Sequence, residues 1–466
     1  MLPATPQSAA AQAIVAALRE HGYQAYLAGG CVRDLLLGRD PKDYDVATSA
    51  TPDIVLDLFP RTFAVGAHFG VVLVSSEIDG QPTLTEVATF RSDGAYSDGR
   101  HPDQVRYSQT PEEDVQRRDF TINGLLLDPA RLETDGLRGA ILDYVGGLND
   151  LSSGIVRAIG NPERRFQEDR LRMLRAVRFA ARFGFSLDVP TLAAIRALAP
   201  KIQSVSRERV RDELARMLTE GRAKLAFELL DETRLLPEVL PEVARLKGVE
   251  QPPQYHPEGD VWTHTLLLLE QLEPGCSLTL AWGALLHDIG KPATFRAPDP
   301  GNPKDRIRFN GHVEVGVSIA ADIAGRLRFS NDDTAQILAL VENHMRFADT
   351  PRMKTATLKR FFRLDRFDEH LALHRMDCLG SGGYLGHYHF AEERYRAMPA
   401  NEVSPTPLLT GSELIAAGYM PGPQFKTMLH AVEEAQLEGA ISSREEALAL
   451  VAARFPLVPE PEMGNG

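Results

Sequence analysis

The sequence predicts an α+β fold, in which a small mixed-sheet domain is followed by mostly α-helical regions. Strand-like apolar runs concentrate in about the first 150 residues, where they alternate with short helical patterns. From about Leu151 onward, the apolar spacing is almost entirely helical. Proline- and glycine-rich stretches divide the 466 residues into four predicted parts, over 1–150, 151–250, 256–380 and 400–456.

The first part combines helices with strands, and each element follows from its apolar spacing and its turn residues. The predicted elements are, in order, a helix over 10–22, a strand over 23–30, a helix, loop and strand over 31–49, a helix over 54–59, and strands over 71–76 and 84–90. Gly22 ends the first helix. Asp79-Gly80 is predicted to be the turn of a hairpin that joins the last two strands.

The remaining parts are predicted to be helical. Long periodic stretches cover 163–183 and 207–231, and the composition of 248–260 is typical of a linker. The prolines that interrupt the helical pattern are Pro190, Pro200 and Pro237. Near the end of the chain, within 406–455, a Pro-Gly-Pro turn separates two amphipathic helices.

The charges are unevenly distributed along the chain. The protein has 51 Lys and Arg against 64 Asp and Glu, which gives a net charge of −13. Because nucleic-acid-binding surfaces are usually basic, this balance alone disfavours such a partner. Residues 151–224, however, contain 16 Lys and Arg and 8 Asp and Glu, a net charge of +8. The sequence therefore predicts a basic helical segment within an acidic protein.

The cysteine content and the start of the chain indicate a cytoplasmic protein. Only Cys31, Cys276 and Cys378 occur, and none belongs to a C-x-x-C pair, which disfavours a disulfide framework or a cysteine-ligated zinc site. The N-terminal stretch lacks a signal-peptide pattern, and no apolar run reaches the ~20 residues that span a bilayer. We therefore expect no membrane partner.

A Gly-Gly turn lies between a predicted strand and a predicted helix. Gly29 and Gly30 permit close backbone approach, and a helix N-terminus offers free N–H groups to an anion. Arg33 adds positive charge. A triphosphate could bind there, although a Gly-Gly turn alone is more often only a turn.

Two carboxylates follow at a spacing that suits metal binding. Asp43 and Asp45 are separated by one residue, so in an extended segment both side chains point to the same face. Such a pair can share divalent metals in phosphoryl transfer, although surface pairs of this kind are common. Glu86, in the predicted strand 84–90, could supply a third carboxylate or be an exposed strand residue.

Two further segments combine cations with groups that accept hydrogen bonds. In the first, Arg118, Asp119 and Asn123 suit contacts with a phosphate or a ribose hydroxyl, or form a solvated helix start. In the second, a helix is predicted to place Asp169 and Arg172 three residues apart on one face. Together these two side chains could read a base edge, or form an ordinary surface ion pair.

Together these segments resemble the class II tRNA nucleotidyltransferase and bacterial poly(A) polymerase family, within the polymerase-β-like nucleotidyltransferase superfamily. The matching text, in order over residues 27–185, is AGGCVRDLLLG, DYDVATSATP, EVATFR, EEDVQRRDFTIN and EDRLRMLRAVRFAARFGF. The resemblance implies a palm-like head over 1–150, a helical neck over 151–250 that binds the base and RNA, and Mg²⁺ held by Asp43 and Asp45.

The resemblance also implies roles for the residues around the nucleotide. Gly30, next to Gly29, and Arg33 would contact the triphosphate, and Asp119 with Arg118 would lie near the ribose and the phosphates. Asp169 and Arg172 would act as an amino-acid template that selects cytosine or adenine, with Arg175 and Arg178 nearby.

The implied reaction adds C, C and A to the 3′ end of tRNA from CTP and ATP, and pyrophosphate leaves. The terminal 3′-hydroxyl would attack the α-phosphate in line. A poly(A) polymerase and an A-adding or CC-adding specialist share the head motifs and remain alternatives. Residues 92–116 correspond to a flexible element that full CCA-adding enzymes use to switch from C to A. A non-catalytic RNA-binding module is a further alternative, whereas a (p)ppGpp synthetase-hydrolase would have the opposite domain order.

A second set of candidate ligands lies in the histidine-rich third part. Its members are His264, His287, Asp288, His312, His344 and Asp377. Side chains from separate helices converge in bundle cores, and imidazoles with carboxylates suit Mn, Ni, Fe or Zn more than Ca. Taken singly, each histidine is more often a packed or surface residue.

This set resembles the HD phosphohydrolase superfamily. The resemblance implies a metal held by His264, His287, Asp288 and Asp377, while His312 and His344 match histidines that can hold a second metal. Mg²⁺ is an alternative to the transition metals. Phosphatase and 2′,3′-cyclic phosphodiesterase activities occur among tRNA nucleotidyltransferases with this domain, so a role in tRNA repair is a hypothesis here, as is a purely structural HD domain. Residues 406–455 resemble the small tRNA-binding domain of the same family. The sequence does not distinguish a monomer from a homodimer.

Overall fold

The computed structural model describes residues 2–64, 70–93, 105–302 and 304–457. The chain divides into two compact units. The first unit comprises Met1–Ala244, Leu272–Cys276 and Arg326–Arg328, and the second comprises Arg245–Gln271, Ser277–Gly325 and Phe329–Gly466. The boundaries of the four parts inferred from the sequence stay predictions.

All eleven strands of the described residues lie in the first unit. They are β1 (Ala25–Ala28), β2 (Asp45–Thr48), β3 (Thr62–Phe63), β4 (Val71–Ile78), β5 (Gln81–Thr89), β6 (Arg91–Asp93), β7 (Val105–Tyr107), β8 (Leu125–Leu127), β9 (Ile141–Asp143), β10 (Ile155–Val156) and β11 (Ser186–Leu187). Seven of them form one sheet in the order β3-β4-β5-β2-β1-β8-β9. Only β2 and β5 are parallel neighbours in this sheet. The mixed sheet predicted from the sequence is confirmed.

The hairpin of β4 and β5 is also confirmed. Asp79 and Gly80 both have positive φ, at 51° and 75°, as the tight turn of a twisted hairpin requires. Along β5, buried residues alternate with exposed ones, so Thr85 and Val87 face the core while Glu86 faces outward. This alternation leaves the Glu86 carboxylate free to act outside the core.

The described residues of the first unit form thirteen α-helices. They are α1 (Pro6–Glu20), α2 (Gly30–Leu36), α3 (Pro52–Leu58), α4 (Pro111–Gln116), α5 (Leu132–Gly139), α6 (Gly147–Ser153), α7 (Pro162–Glu168), α8 (Arg172–Phe183), α9 (Val189–Leu198), α10 (Arg207–Thr219), α11 (Ala223–Glu232), α12 (Leu236–Val239) and α13 (Pro241–Ala244). The predicted helices at 10–22 and 54–59 correspond to α1 and α3. Residues 94–104, part of the predicted flexible element 92–116, lie outside the described residues.

Two long helices predicted from the sequence are each broken in the structure. The stretch 163–183 forms α7 and α8, because Asp169 takes extended backbone angles of −143° and 107°. The stretch 207–231 forms α10 and α11, since Gly221 and Arg222 have positive φ. In both cases the apolar spacing continues across the break, so periodicity alone did not reveal it.

The regular elements of the second unit's described residues are all helices. Its helices are α14 (Val261–Glu270), α15 (Leu278–Leu286), α16 (Lys291–Thr294), α17 (His312–Leu327), α18 (Asn331–Asn343), α19 (Thr355–Phe362), α20 (Phe367–Gly380), α21 (Gly386–Ala397), α22 (Ala400–Val403), α23 (Gly411–Ala416), α24 (Gln424–Leu437) and α25 (Arg444–Arg454). Helices α14, α15, α18 and α20 pack against one another. Among the described residues, no helix is long and apolar enough to cross a membrane.

Local sequence explains the start of α14 and the turn between α23 and α24. Helix α14 begins at Val261, because the Asp260 carboxylate accepts a hydrogen bond from the Thr263 N–H at 2.8 Å. The predicted Pro-Gly-Pro turn lies between α23 and α24. Around this turn, Leu414, Met428 and Val432 belong to a small core of their own.

Candidate functional site

A cavity of about 520 Å³ in the first unit is lined mainly by arginines. Nine arginines and three aspartates line it, so the lining is strongly positive. A triphosphate carries several negative charges, and Arg guanidinium groups match phosphate geometry. We call this space the head cavity.

The head cavity brings together eleven residues that the sequence singled out. They are Gly29, Gly30, Arg33, Asp45, Arg118, Asp119, Asn123, Asp169, Arg172, Arg175 and Arg178. Five further residues line the cavity that were not among the predicted site residues, namely Arg117, Phe179, Arg182, Arg209 and Arg216. Helical spacing could have identified three of them, since Arg182 follows Arg178 by one turn of α8, and Arg209 and Arg216 are seven residues apart on α10.

Asp43, Asp45 and Glu86 form a carboxylate cluster beside the head cavity. Asp45 is the first residue of β2, and the buried Tyr44 side chain lies between the two aspartates in sequence. Because Val46 pairs with Val87 in the parallel register, Asp45 lies next to Glu86 across the two strands. Asp43 and Glu86 are exposed and do not line the cavity itself.

The electrostatics of this cluster fit a divalent cation. Burial and the neighbouring Glu86 and Asp43 charges together raise the pKa of Asp45 to about 6, against the opposing charge of Arg118. Three carboxylates therefore crowd together with too little positive charge to balance them. Oxygen ligands of this kind are those that Mg²⁺ prefers. Asp43 and Asp45 could hold it, as predicted.

Gly29 permits the close approach of an arginine to the Gly-Gly turn. Its φ is +71°, and a Cβ at this position would lie 3.1 Å from Nη1 of Arg118. On the other side of the turn, the Arg33 guanidinium pairs with Asp34 at 2.7 Å and donates a hydrogen bond to Asn123 Oδ1. These contacts fix the Arg33 side chain, which is only 4% exposed.

Asp119 links the sheet region to helix α8. Its carboxylate accepts two hydrogen bonds from Arg175, at 2.9 and 2.7 Å, and one from Asn123 at 3.0 Å. Burial alone would raise the pKa of Asp119, but Arg175, Asn123 and Arg172 outweigh it and lower the value to about 2. Asp119 is therefore ionised and anchors the arginine face of α8.

The prediction that one helix places Asp169 and Arg172 on the same face is wrong, because Asp169 caps the end of α7 and Arg172 begins α8, and the alternative ion pair between them is not formed. Asp169 pairs with Arg209 of α10 at 2.8 Å, and Arg172 pairs with Glu168 at 2.9 Å. The break between α7 and α8 turns Asp169 away from its expected partner. Both side chains nevertheless line the head cavity, each held by a separate partner.

Arg178 is the most deeply buried of the predicted arginines on α8. It is 4% exposed, and its guanidinium pairs with Glu213 at 2.7 Å. The Arg178 guanidinium also lies 4.3 Å from the centre of the Phe179 ring. This ring is shared with Arg33, 5.1 Å away, and Arg175, 5.4 Å away. Cation–π contacts and ion pairs together hold these arginines in place before a ligand binds.

In the second unit, the six predicted metal ligands converge on one buried site, which we call the histidine cluster. They come from α14, the end of α15, α17, the segment after α18 and α20, and they are His264, His287, Asp288, His312, His344 and Asp377. The ligand atoms of His264, His287 and Asp377 lie within 4.8 Å of one another. So do those of Asp288, His312 and His344. Asp288 contacts both groups, because Oδ2 is 3.2 Å from His287 Nε2 and Oδ1 is 3.7 Å from His344 Nε2.

Hydrogen bonds to the backbone orient three of these imidazoles. The Nδ1 atoms of His287, His312 and His344 lie 2.9, 2.9 and 2.6 Å from carbonyl oxygens. The proton must reside on Nδ1 for that bond, so the Nε2 lone pair faces the cluster. The buried Nε2 atoms of His312 and His344 have no hydrogen-bond partner in the described part of the chain. Two orphaned lone pairs beside a carboxylate fit a metal ion.

The electrostatics of the cluster also suit a cation, which would displace the proton of His264 on binding. Burial lowers the pKa of His344 to about 4, so this imidazole is neutral near pH 7. Burial acts the same way on His264, but hydrogen bonds to Asp377 and Glu258 outweigh it and raise its pKa to about 9. Burial would raise the pKa of Asp288, but Lys291 and His287 hold it well below its usual range. In the absence of a metal, His264 thus carries a proton at the position where the cluster attracts a cation.

Sequence reasoning assigned no role to the groups that support the cluster. Glu258 contacts His264 at 2.8 Å, and Lys291 contacts Asp288 at 2.6 Å. Gly290 allows α17 to approach, because a Cβ there would lie only 2.0 Å from the His312 carbonyl oxygen. The sequence signal was local, since both Lys291 and Gly290 follow the His-Asp pair within three residues.

Three family models match this chain. The Poly A polymerase head domain matches residues 25–157, and the model described as a probable RNA and SrmB-binding site of polymerase A matches 184–247. The HD domain matches 260–370. Asp377 lies beyond this last match, and the structure brings it to the cluster through α20.

Curated relatives are similar over part of their length. The CCA-adding enzyme of Geobacillus thermodenitrificans is 45% identical over 222 residues, which are 48% of this chain and 52% of that protein. The CCA-adding enzyme of Bacillus pumilus is 38% identical over 277 residues, or 59% and 62% of the two chains. The chain thus matches about half the length of the first of these relatives.

Solved structures extend the likeness to nearly the whole chain. The CCA-adding enzyme of Bacillus stearothermophilus in complex with CTP covers 97% of this chain and 98% of its own, with 28% identity and a TM-score of 0.71. A Thermotoga maritima CCA-adding enzyme with tRNA, 18% identical with a TM-score of 0.59, shares the fold. The head, RNA-binding and HD models match in the predicted order, and the chain is similar in sequence and in fold to CCA-adding enzymes.

Proposed function

We propose that this protein adds C, C and A to the 3′ end of tRNA from CTP and ATP, with release of pyrophosphate. The single observation that carries the proposal is the head cavity, in which nine arginines face a space next to Asp43, Asp45 and Glu86. Anion-binding side chains and a metal-binding carboxylate cluster are the two parts that nucleotidyl transfer needs. The likeness to a CCA-adding enzyme in complex with CTP supports the choice of substrate.

In this mechanism the chain's own residues position the reactants. Arg33 and Arg118, fixed by Asp34 and Asp114, bind the triphosphate and need little reorganisation. Mg²⁺ held by Asp43 and Asp45 would lower the pKa of the tRNA 3′-hydroxyl and neutralise charge at the phosphates. Glu86 adds a third carboxylate oxygen beside this pair.

Base selection would fall to Asp169 and Arg172. An incoming base that contacts these side chains meets a carboxylate acceptor and a guanidinium donor, the complementary groups that distinguish base edges. Each has an alternative partner in the structure, Arg209 for Asp169 and Glu168 for Arg172. Their positions are therefore set by the protein rather than by a nucleic-acid template.

Incorporation assays on defined transcripts test this proposal. The protein is incubated with tRNA transcripts that end before, within and after CCA, with CTP or ATP supplied singly and together, and the 3′ ends are sequenced. We expect completion to CCA and no further addition. Addition of only C, only A or a long A tail would instead identify a CC-adding enzyme, an A-adding enzyme or a poly(A) polymerase.

A second function is favoured by the histidine cluster. We propose that it is a metal-dependent phosphatase or 2′,3′-cyclic phosphodiesterase acting in tRNA 3′-end repair, on the basis of the orphaned Nε2 atoms of His312 and His344. A divalent Ni, Mn, Fe, Zn or Mg ion held by these residues would activate water for attack on a phosphoester. The test is hydrolysis of a 2′,3′-cyclic phosphate in the presence of each metal. Loss of hydrolysis in His287→Ala, with incorporation retained, assigns the activity to this cluster, and survival of hydrolysis assigns it elsewhere.

The remaining parts of the proposal concern the partner and its location. Residues 406–455 would contact the body of the tRNA, and the basic segment 151–224 would face its phosphates. Binding should accordingly weaken with salt. We place the reaction in the cytoplasm, where tRNA and both nucleotides occur, and the active form as a monomer or a homodimer.

A further inference from the structure

The loop before helix α14 carries a carboxylate that faces away from the solvent and toward two imidazoles. Oε1 of Glu258 lies 2.8 Å from Nδ1 of His264 and 2.8 Å from Nδ1 of His256. The Glu258 side chain is 8% exposed, and His264 is fully buried. One carboxylate oxygen therefore accepts hydrogen bonds from two rings whose centres are 5.0 Å apart.

We propose that Glu258 is the positioning residue of the histidine cluster, which fixes the tautomer and the ring orientation of His264 so that its Nε2 binds the metal. The inference deepens the proposed phosphohydrolase function and rests on metal binding at this cluster. Glu258 is not itself a ligand in this arrangement, because its oxygen meets the opposite side of the His264 ring from Asp377 and His287.

His264 differs from the other imidazoles of the cluster in how it is held. His287, His312 and His344 each use a neutral backbone carbonyl within their own segment, three residues earlier in the chain. His264 cannot rely on such a contact, because its Nδ1 points to Glu258, six residues earlier and outside the helix. A charged acceptor holds the ring more strongly and makes the ligand more basic than a carbonyl does.

The Nε2 atom of His264 points to the other ligands of the cluster. Its Nε2 is 3.1 Å from Asp377 Oδ1 and 3.3 Å from His287 Nε2. If the ring turned over, Cε1 and Cδ2 would take the places of Nε2 and Nδ1, so the cluster would lose this ligand atom and Glu258 would lose its hydrogen bond from His264. The second oxygen, Oε2, already has no partner among the described residues, so the carboxylate depends on these two rings. Glu258 thus stabilises the orientation of His264 in which Nε2 faces the cluster.

Metal titration of the full-length protein tests the proposal. Protein freed of metal with a chelator is titrated with Mn²⁺ and with Co²⁺, and the Co²⁺ absorption spectrum is recorded. Loss of such an outer carboxylate weakens metal binding by about 10- to 100-fold, so Glu258→Ala should show a loss in this range and an altered spectrum. Glu258→Gln keeps an acceptor for one N–H group and should retain more affinity than Glu258→Ala.

Two control variants separate positioning from other roles. Asp260 caps the same helix, and its side chain contacts Thr263 and the backbone rather than an imidazole. Asp260→Ala should lower the melting temperature while the metal affinity stays within about twofold. His256→Ala should leave the number of bound metal ions unchanged, whereas loss of one ion would show that Glu258 and His256 are ligands and overturn the proposal.

Nucleotide incorporation at the head reports whether the first unit of each variant is folded, and the melting temperature reports the second unit. We expect all Glu258 variants to incorporate CTP and ATP at the wild-type rate, since Glu258 belongs to the second unit. Wild-type protein that binds neither metal overturns both the proposed phosphohydrolase function and this inference. Wild-type protein that binds metal, together with a Glu258→Ala variant of equal affinity and spectrum, overturns this inference alone.

Discussion

Replacing Asp45 with asparagine should stabilise the metal-free protein while it abolishes nucleotide incorporation. Burial and the charges of Glu86 and Asp43 raise the pKa of Asp45 to about 6 in the folded state, from 3.8 in the unfolded chain. The folded protein therefore disfavours the ionised carboxylate that the metal needs. Asparagine has nearly the same shape and carries no charge.

The size of the effect follows from the pKa difference. A shift of about 2 pKa units corresponds to at most about 3 kcal/mol by which ionised Asp45 destabilises the folded state near pH 7. Below pH 4 the carboxyl is protonated in both states, and this penalty disappears. Wild-type stability should thus fall relative to Asp45→Asn as the pH rises from 4 through 6, and the difference should then stay constant.

Urea unfolding in the presence of EDTA, at pH 4 and at pH 7.5, measures this difference. Mg²⁺ should then stabilise the wild type more than the variant, because it binds the ionised form. Incorporation of CTP into tRNA, assayed in parallel, should be lost in the variant. Equal stability of the two proteins at pH 7.5 without metal would refute the charge-crowding argument, and full incorporation by Asp45→Asn would refute its place in the head site.

Three other predictions follow from buried contacts. Gly290→Ala should weaken Mn²⁺ binding at the histidine cluster by about 100-fold, because the alanine Cβ would displace the His312 backbone by about 1 Å. Nucleotide incorporation should be unchanged. An unchanged Mn²⁺ affinity would contradict the prediction. Glu213→Leu should lower the free energy of unfolding by about 3 kcal/mol, because Arg178 is left buried without its main partner. Adding Arg178→Met should recover most of this loss. Urea unfolding measures both variants, and a Glu213→Leu variant as stable as the wild type would argue against the pair. Asp119→Asn should lower the free energy of unfolding by about 2 kcal/mol at pH 7, since the pKa of Asp119 is lowered to about 2 in the folded state. This loss should vanish as the pH falls through that value. A loss that is independent of pH in urea unfolding would show that the Asp119 charge is not its cause.

The local sequence patterns predicted most of the elements that carry the sites. The Asp79-Gly80 turn and the apolar runs around it predicted the β4–β5 hairpin, because tight turns and alternating burial depend on neighbouring residues. The same logic predicted that Asp43 and Asp45 share one face. Helix breaks were missed at Asp169 and Gly221, since the apolar face continues across them and only backbone angles reveal the interruption.

The candidate residues were predictable where they lie within recognisable segments, and their partners were not. The sequence indicated Asp169 and Arg172 as a pair, whereas the structure pairs them with Arg209 and Glu168. A contact between Asp169 and Arg209 spans 40 residues, and no local spacing specifies which residues meet at that separation.

The sequence by itself predicted the order of the parts, the candidate ligands of both sites and the resemblance to known families, because these depend on residue types at short spacings. Tertiary structure alone decided how the charges are balanced. Asp45 is destabilised by its neighbours across β2 and β5, whereas Asp119 is stabilised by Arg175 from α8. In the same way, only the folded loop brings Glu258 to His264. Electrostatic energies depend on distance and burial, and the packing of distant segments sets both.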